Sequence, residues 1–292
     1  RRSKSTLAAR TASNVKPIAT TTATYALSLP DTPVVSRDTV SQSKHTHGVC
    51  AAHHGAMARW PIDAAELIRV QEGLARAAPP AWVGSAGRLL VGGCYVCFAS
   101  GTTGAGAAGD LGVAGAAVTR GRRLLAAATA TGPAGAPYRP ALLALREGVL
   151  LEAAVRALPQ RPDVLLVNAT GRDHPRGAGL ALHLGAVLDL PTVGVTDRPL
   201  LAEGDQPPDV HGAAAPLLLD GEPVGCWLRT RSGARPVAVH AAWRTDVATA
   251  VEVVMAATRR PARTPEPLRR ARTAARVARA SGQRRSGARP WA

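Results

Sequence analysis

Lysine is almost missing from this chain: Lys4, Lys16 and Lys44 are the only three, and the 236 residues after position 56 contain none. The absence divides the sequence. Residues 1–56, rich in Thr and Ser, hold seven Lys/Arg against two acids, residues 57–258 hold 18 against 17, and residues 259–292 hold 11 against one. The formal charge of +16 therefore sits in the flanks of a nearly neutral middle, so it argues less for a basic face on the folded part than the total suggests. Long apolar runs are lacking too. No stretch reaches the ~18 uninterrupted apolar residues of a membrane span, and the amino-terminal part has no apolar core of a secretory signal. Four cysteines in 292 residues exclude a disulfide framework and favour a reducing compartment, the cytoplasm.

Two further absences remove tempting motifs. Cys94 and Cys97 have the C-x-x-C spacing of zinc and redox sites, yet no second pair of ligands follows at suitable spacing and no helix opens there. The run 89–98 reads as a strand, which sends the two thiols to opposite faces as buried free cysteines. The glycine-rich stretch from Ala99 to Gly109 lacks the Gly-Lys-Ser/Thr of a phosphate loop and a following helix, so it reads as a hairpin connection.

What is present has a clear order. Residues 1–56 are read as a disordered basic leader or as sequence upstream of a true start at Met57, which precedes the first amphipathic run, a helix around 62–77. Apolar runs at 88–98, 111–118 and 122–131 form an antiparallel meander. Pro140 opens a helix to about Leu158, and strand 163–168, helix 178–188 and strand 192–196 have β-α-β spacing. Runs at 223–229 and 236–240 add a hairpin, and a helix from Thr245 to Thr258 closes a domain spanning 57–260, capped near Thr245 or Asp246. Residues 261–292 form a basic Arg-rich tail whose Ala/Arg run can be helical and lie on a phosphate backbone. These patterns give an α/β class.

One strand end concentrates polar residues. Val164–Val167 runs straight into a loop holding Asn168, Asp173, His174 and Arg176. On the preceding helix, Glu147 shares an i, i+4 stripe with Leu143, Leu151 and Val155, so it either reaches a metal or a cationic partner or escapes to solvent at the stripe's edge. His174 and Arg176 are candidates for catalysis or phosphate contact, and equally for holding their loop. Tyr138, between Pro137 and Pro140, is a candidate wedge for unstacking bases, or a half-buried ring before a helix.

Several blocks together resemble the endonuclease V family, metal-dependent nucleases acting on nucleic acid with deaminated adenine. They are Gly93-Cys94-Tyr95-Val96-Cys97-Phe98, Pro137-Tyr138-Arg139-Pro140, Arg146-Glu147, the run from Val167 to Arg176 that contains Gly171 and His174-Pro175-Arg176, and Pro191-Thr192-Val193-Gly194-Val195. The resemblance spans roughly residues 60–270. It implies a ribonuclease-H-like mixed sheet, an antiparallel meander plus parallel β-α-β, with flanking helices. It implies Mg²⁺ as cofactor, DNA or RNA with deaminated bases as partner, a monomer, and no membrane. By resemblance Glu147, Asn168 and His174 are the catalytic positions, Glu147 and Asn168 the metal positions, and Pro137, Tyr138, Pro140, Gly171 and Arg176 the nucleic-acid contacts.

The family's two metal-binding aspartates fall at Tyr95 and Asn168, its lysine at Asp197, and its histidine at Trp243. A phenol with pKa near ~10 is uncharged at neutral pH and is no substitute for a carboxylate. The expectation is a nucleic-acid-binding protein linked to repair of deaminated DNA, with cleavage weak or lost. One alternative keeps an active Mg²⁺-dependent endonuclease cutting 3′ to deoxyinosine, with Asp173, Asp197 or Asp246 as a relocated ligand. The other is a non-enzymatic interaction module.

Overall fold

Short runs of Val, Leu, Ala and Gly build a mixed nine-stranded sheet, and helices cover both of its faces. The computed structural model describes residues 20–24, 60–84, 89–99 and 105–286. Cys50 and Met57 lie outside them, and of the first 56 residues they include only the edge strand β1 (Thr20–Thr24). The meander is β2 (Val91–Phe98), β3 (Leu111–Arg120) and β4 (Arg123–Pro133), antiparallel throughout, with β1 parallel to β4 at the edge. β5 (Val164–Val167) lies parallel to β2, and β6 (Thr192–Thr196) parallel to β5. β7 (Ala214–Leu219), β8 (Glu222–Leu228) and β9 (Val237–Ala241) complete the order β1-β4-β3-β2-β5-β6-β9-β8-β7. β7 goes beyond the expected hairpin. Its Pro216 argues against a strand, and is tolerated because β7 is the outermost one.

Helices α1 (Ala64–Arg76), α2 (Leu143–Arg156) and α3 (Leu180–Leu188) pack on one face around Leu67, Leu151, Leu182, Leu184 and Cys94. α4 (Val247–Ala257) and α5 (Glu266–Ser286) cover the other. Cys94 and Cys97 face opposite layers as free, buried thiols, as strand alternation requires. Asp63 caps α1 by accepting from the Glu66 amide at 2.8 Å, and Asp246 caps α4 by accepting from the Thr249 amide at 2.7 Å.

The segment set apart above as a basic tail includes α5, and α5 is part of the layered structure. Its inner face is alanine, with Ala271 and Ala275 fully buried, and it meets Ala117, Ala127 and Gly115 on the sheet. Small residues on both sides let the helix backbone approach the strands closely. A side chain at Gly115 would overlap the Ala271 carbonyl, and one at Gly93 would overlap the backbone of Pro267 and Leu268.

Gly115→Ala is therefore expected to destabilise the fold by about 1–3 kcal/mol through overpacking. A urea midpoint equal to the parent's would show that α5 has room to move away at no cost.

Candidate nucleic-acid interface

The parallel strands β2, β5 and β6 all end on one side of the sheet, the usual place for a ligand crevice in such folds. The register pairing Cys94 with Val167 puts Tyr95 and Asn168 next to each other on neighbouring strands. Asn168 is exposed just past the end of β5. It lines a cavity of about 170 Å³ with Gln71, Tyr138, Thr170, His174 and Thr196 among the other walls. Three of the sequence-derived positions, Tyr138, Asn168 and His174, thus meet at one cavity.

The rim of that crevice is a clamped loop. Pro137, Tyr138, Arg139 and Pro140 are all exposed, Tyr138 by 49%. The next residue, Ala141, has a left-handed backbone at φ 61°, a conformation a residue with a Cβ adopts at a cost of roughly 1–2 kcal/mol. Three side chains hold it there. The Ala141 carbonyl accepts from Arg176 Nη2 at 2.9 Å, from Gln71 Nε2 at 3.2 Å, and from His174 Nε2 at 3.1 Å. Gln71 Oε1 in turn accepts from Arg176 Nε at 2.7 Å. His174 Nδ1 accepts from the Arg176 amide at 3.2 Å, which leaves the proton of the neutral ring on Nε2, facing Ala141. Burial pushes the His174 pKa down to about 4, so the ring is neutral at physiological pH and both nitrogens are in use. This geometry gives His174 and Arg176 the holding of the loop.

A second anchor is Arg146, which is buried. It pairs with Asp110 at 2.9 Å, donates to the carbonyls of Ala107 at 3.1 Å and Ala136 at 2.7 Å, and lies 4.0 Å from the centre of the Phe98 ring. The Arg146 hydrogen bond holds the Asp110 carboxyl below its ordinary range. Gly171, expected to touch nucleic acid, is instead buried. A side chain there would overlap the Ala241 carbonyl, and its role is to let the loop after β5 pack on β9.

The donor set does not suit a hard divalent cation, which needs several anionic oxygens converging on one point. Glu147 is half-buried, and desolvation raises its pKa to about 7. Next to it is Cys94, whose thiol burial and the Glu147 charge push far above the usual range. Asn168 offers only a neutral amide. Tyr95 turns to the α5 face and packs against Ala271 and Ala275. The three acids considered as relocated ligands are engaged elsewhere. Asp173 is buried and accepts three backbone amides, Leu200 at 2.6 Å, Leu201 at 2.8 Å and Ala202 at 2.9 Å, with His240 Nδ1 at 3.5 Å. Asp197 pairs with Arg263 at 2.6 Å, and that bond holds its carboxyl below the ordinary range. Asp246 caps α4. Among the described residues, no group of three or more His, Cys, Asp or Glu side chains is placed to hold a metal ion.

A mixed sheet with a meander on one side, a parallel β-α-β unit at its centre and helices on both faces belongs to the ribonuclease-H-like class of α/β folds. The endonuclease V family model matches residues 88–273, and the chain belongs to that family. Endonuclease V of Streptomyces avermitilis is 43% identical over 148 residues, 51% of this chain and 64% of that relative, so the match spans less than two thirds of the curated protein's length. A crystal structure of Streptomyces avermitilis endonuclease V superposes with a TM-score of 0.66 at 35% identity, covering 77% of this chain and 97% of the other. Ciona intestinalis endonuclease V, in complex with a 24mer DNA containing an inosine followed by a ribo-adenosine, shares the fold at a TM-score of 0.59 and 22% identity, over 74% of this chain and 98% of that one.

Sequence reasoning missed Gln71, Asp110 and Ala141. Gln71 carries a readable signal, an amide in the apolar stripe of α1 between Leu67 and Leu74, since a buried polar group at such a position needs partners. Gln71→Leu removes the acceptor of Arg176 Nε and one donor to Ala141. It is expected to cost about 1–3 kcal/mol and to speed chymotryptic cleavage after Tyr138, and an unchanged cleavage rate would remove the clamp.

Glu147 makes a pH prediction. A carboxyl whose folded pKa is raised to about 7 from the usual 4.5 binds its proton more tightly when folded, so stability falls as pH rises between those values. The depressed pKa values of His174 and His240, each about 4, act oppositely, adding stability as pH rises through about 4 to 6.5. Comparison with Glu147→Gln isolates the acid. The variant is expected to gain stability on the parent from pH 5 to pH 8, by no more than about 3 kcal/mol. A pH-independent difference would contradict the raised carboxyl.

Proposed function

We propose that this protein binds nucleic acid at deaminated bases in the cytoplasm, with phosphodiester cleavage weak or lost. The observation that carries the reading is the charge of the crevice: at the three positions where the family resemblance calls for acids stand Tyr95, Glu147 and Asn168, a single carboxylate whose own ionisation burial opposes. The recognition parts are nevertheless kept. Tyr138 projects from a loop whose backbone is clamped at Ala141, so its ring is presented as a rigid wedge that unstacks a duplex step. The cavity behind it, walled in part by Asn168 and Thr170, supplies an amide and a hydroxyl group for the edge of a displaced base. Free buried cysteines accord with a reducing compartment. Among the described residues no helix is long and apolar enough to cross a membrane.

A nicking assay on single- and double-stranded DNA with one deoxyinosine, in Mg²⁺ and in Mn²⁺, tests this directly. The parent is expected to nick feebly or not at all while still binding, and Tyr138→Ala to lose preference for inosine-containing over normal duplex. Tyr95→Asp with Asn168→Asp returns carboxyls to the two positions where the family resemblance calls for aspartates, and nicking is expected to rise well above the parent. Adding Glu147→Ala should abolish the gain. Robust nicking by the unaltered chain, lost on Asp173→Ala or Asp197→Ala, would replace this reading with an active enzyme using relocated acids.

A further inference from the structure

The position where the family places a metal-binding aspartate is covered by a guanidinium. Arg272 of α5 lies over the Tyr95 ring, its central carbon 5.4 Å from the ring centre. Arg272, Arg276 and Arg279 are spaced i, i+4, i+7 and so form one stripe of the helix. That stripe runs beside the carboxyl end of β2. Arg279 donates to the Phe98 carbonyl at 2.9 Å. Burial pushes the Cys97 thiol up against the opposing charges of Arg279 and Arg276. Across the crevice, the Asp197 carboxyl is held down first by Arg263 and also feels Arg235 and Arg272. Five guanidiniums therefore surround the end of the parallel strands.

Their charges are not all matched. Arg263 is paired with Asp197, and Arg269 and Arg270 with Glu266. Arg272 and Arg276 are exposed, and among the described residues neither comes within ion-pair distance of a carboxylate. A dication at the neighbouring acids would face this positive rim, whereas a phosphodiester would be attracted by it.

We propose that Arg272 and Arg276 supply, at the carboxyl end of β2 and β5, the positive charge that a bound metal ion would otherwise supply, so that this chain holds a nucleic-acid phosphate there without any divalent ion. The proposal rests on the nucleic-acid-binding reading above and specifies how the backbone is held. Tyr95 then has a positive role. Its ring is a platform that fixes the Arg272 guanidinium by cation–π contact and leaves its charge free to meet a phosphate.

The test measures fluorescence anisotropy of the full chain with a short labelled duplex bearing one deoxyinosine and with its inosine-free counterpart, in EDTA and in Mg²⁺, across a salt series. The parent is expected to bind equally well in both. Arg272→Gln with Arg276→Gln should lower the log–log salt slope by about 1.8, at about 0.9 per phosphate contact. Replacing both by Lys should keep most of the slope. Should the Gln pair fail to fold, Arg276→Glu alone, at an exposed position, gives the same reading. Binding that requires the divalent ion, or charge-removed variants with the parent's slope, would overturn the inference and leave the nucleic-acid reading standing. No binding to either duplex in either buffer would overturn the nucleic-acid reading and the inference with it.

Discussion

The seat of α5 on the sheet is the contact on which much else depends. Helix and strand backbones approach closely at alanine and glycine, at Gly93, Gly115, Ala117, Ala127, Ala271 and Ala275. Such a contact derives little from the area of any one side chain. It relies on many close-range contacts at native packing density, each small and all lost together if the surfaces separate. Because the helix cannot shift without opening a gap, the arginines on its flank are fixed relative to β2. The same seat that closes the core of the domain therefore sets the electrostatics of the crevice.

On the opposite face another kind of control operates. The loop carrying Tyr138 has little apolar surface to bury, and it is placed by hydrogen bonds that converge on the Ala141 carbonyl and by the buried Arg146. Net hydrogen-bond contributions of about 1 kcal/mol each, somewhat more for guanidinium donors, are enough together to hold a left-handed alanine that would otherwise relax. The two sides of the crevice are thus built differently, one by close backbone packing and one by converging donors. Glu147 lies between them, with too little water around it to ionise freely.

Much of the scaffold was legible from periodicity. The meander, the β-α-β unit and the capped helices follow from alternating apolar runs and from Asp63 and Asp246 at helix starts. β7 was hidden by Pro216. The docking of α5 was hidden because two alanines four residues apart, surrounded by arginine, carry almost no hydrophobic signal. Only the glycines across from them, on β2 and β3, reveal that a helix must come close. At the crevice, the adjacency of Tyr95 and Asn168 could be read because parallel neighbours end together. The Ala141 conformation could not, since nothing local demands it. It is imposed by Gln71 and by His174 and Arg176, which lie 70, 33 and 35 residues away in the sequence. The pairing of Arg146 with Asp110 was likewise out of reach, being a contact between a helix and a hairpin end.

The clamp at Ala141 also bears on timing. Ordering a residue's backbone costs about 1–2 kcal/mol of conformational freedom whenever it happens. Here the loop is ordered by the protein's own donors when the chain folds, so little of that loss is left to be met when a ligand arrives. Encounter then needs no rearrangement of the rim, and the lifetime of a complex depends on what the exposed ring and the crevice hold rather than on how readily the loop finds its shape.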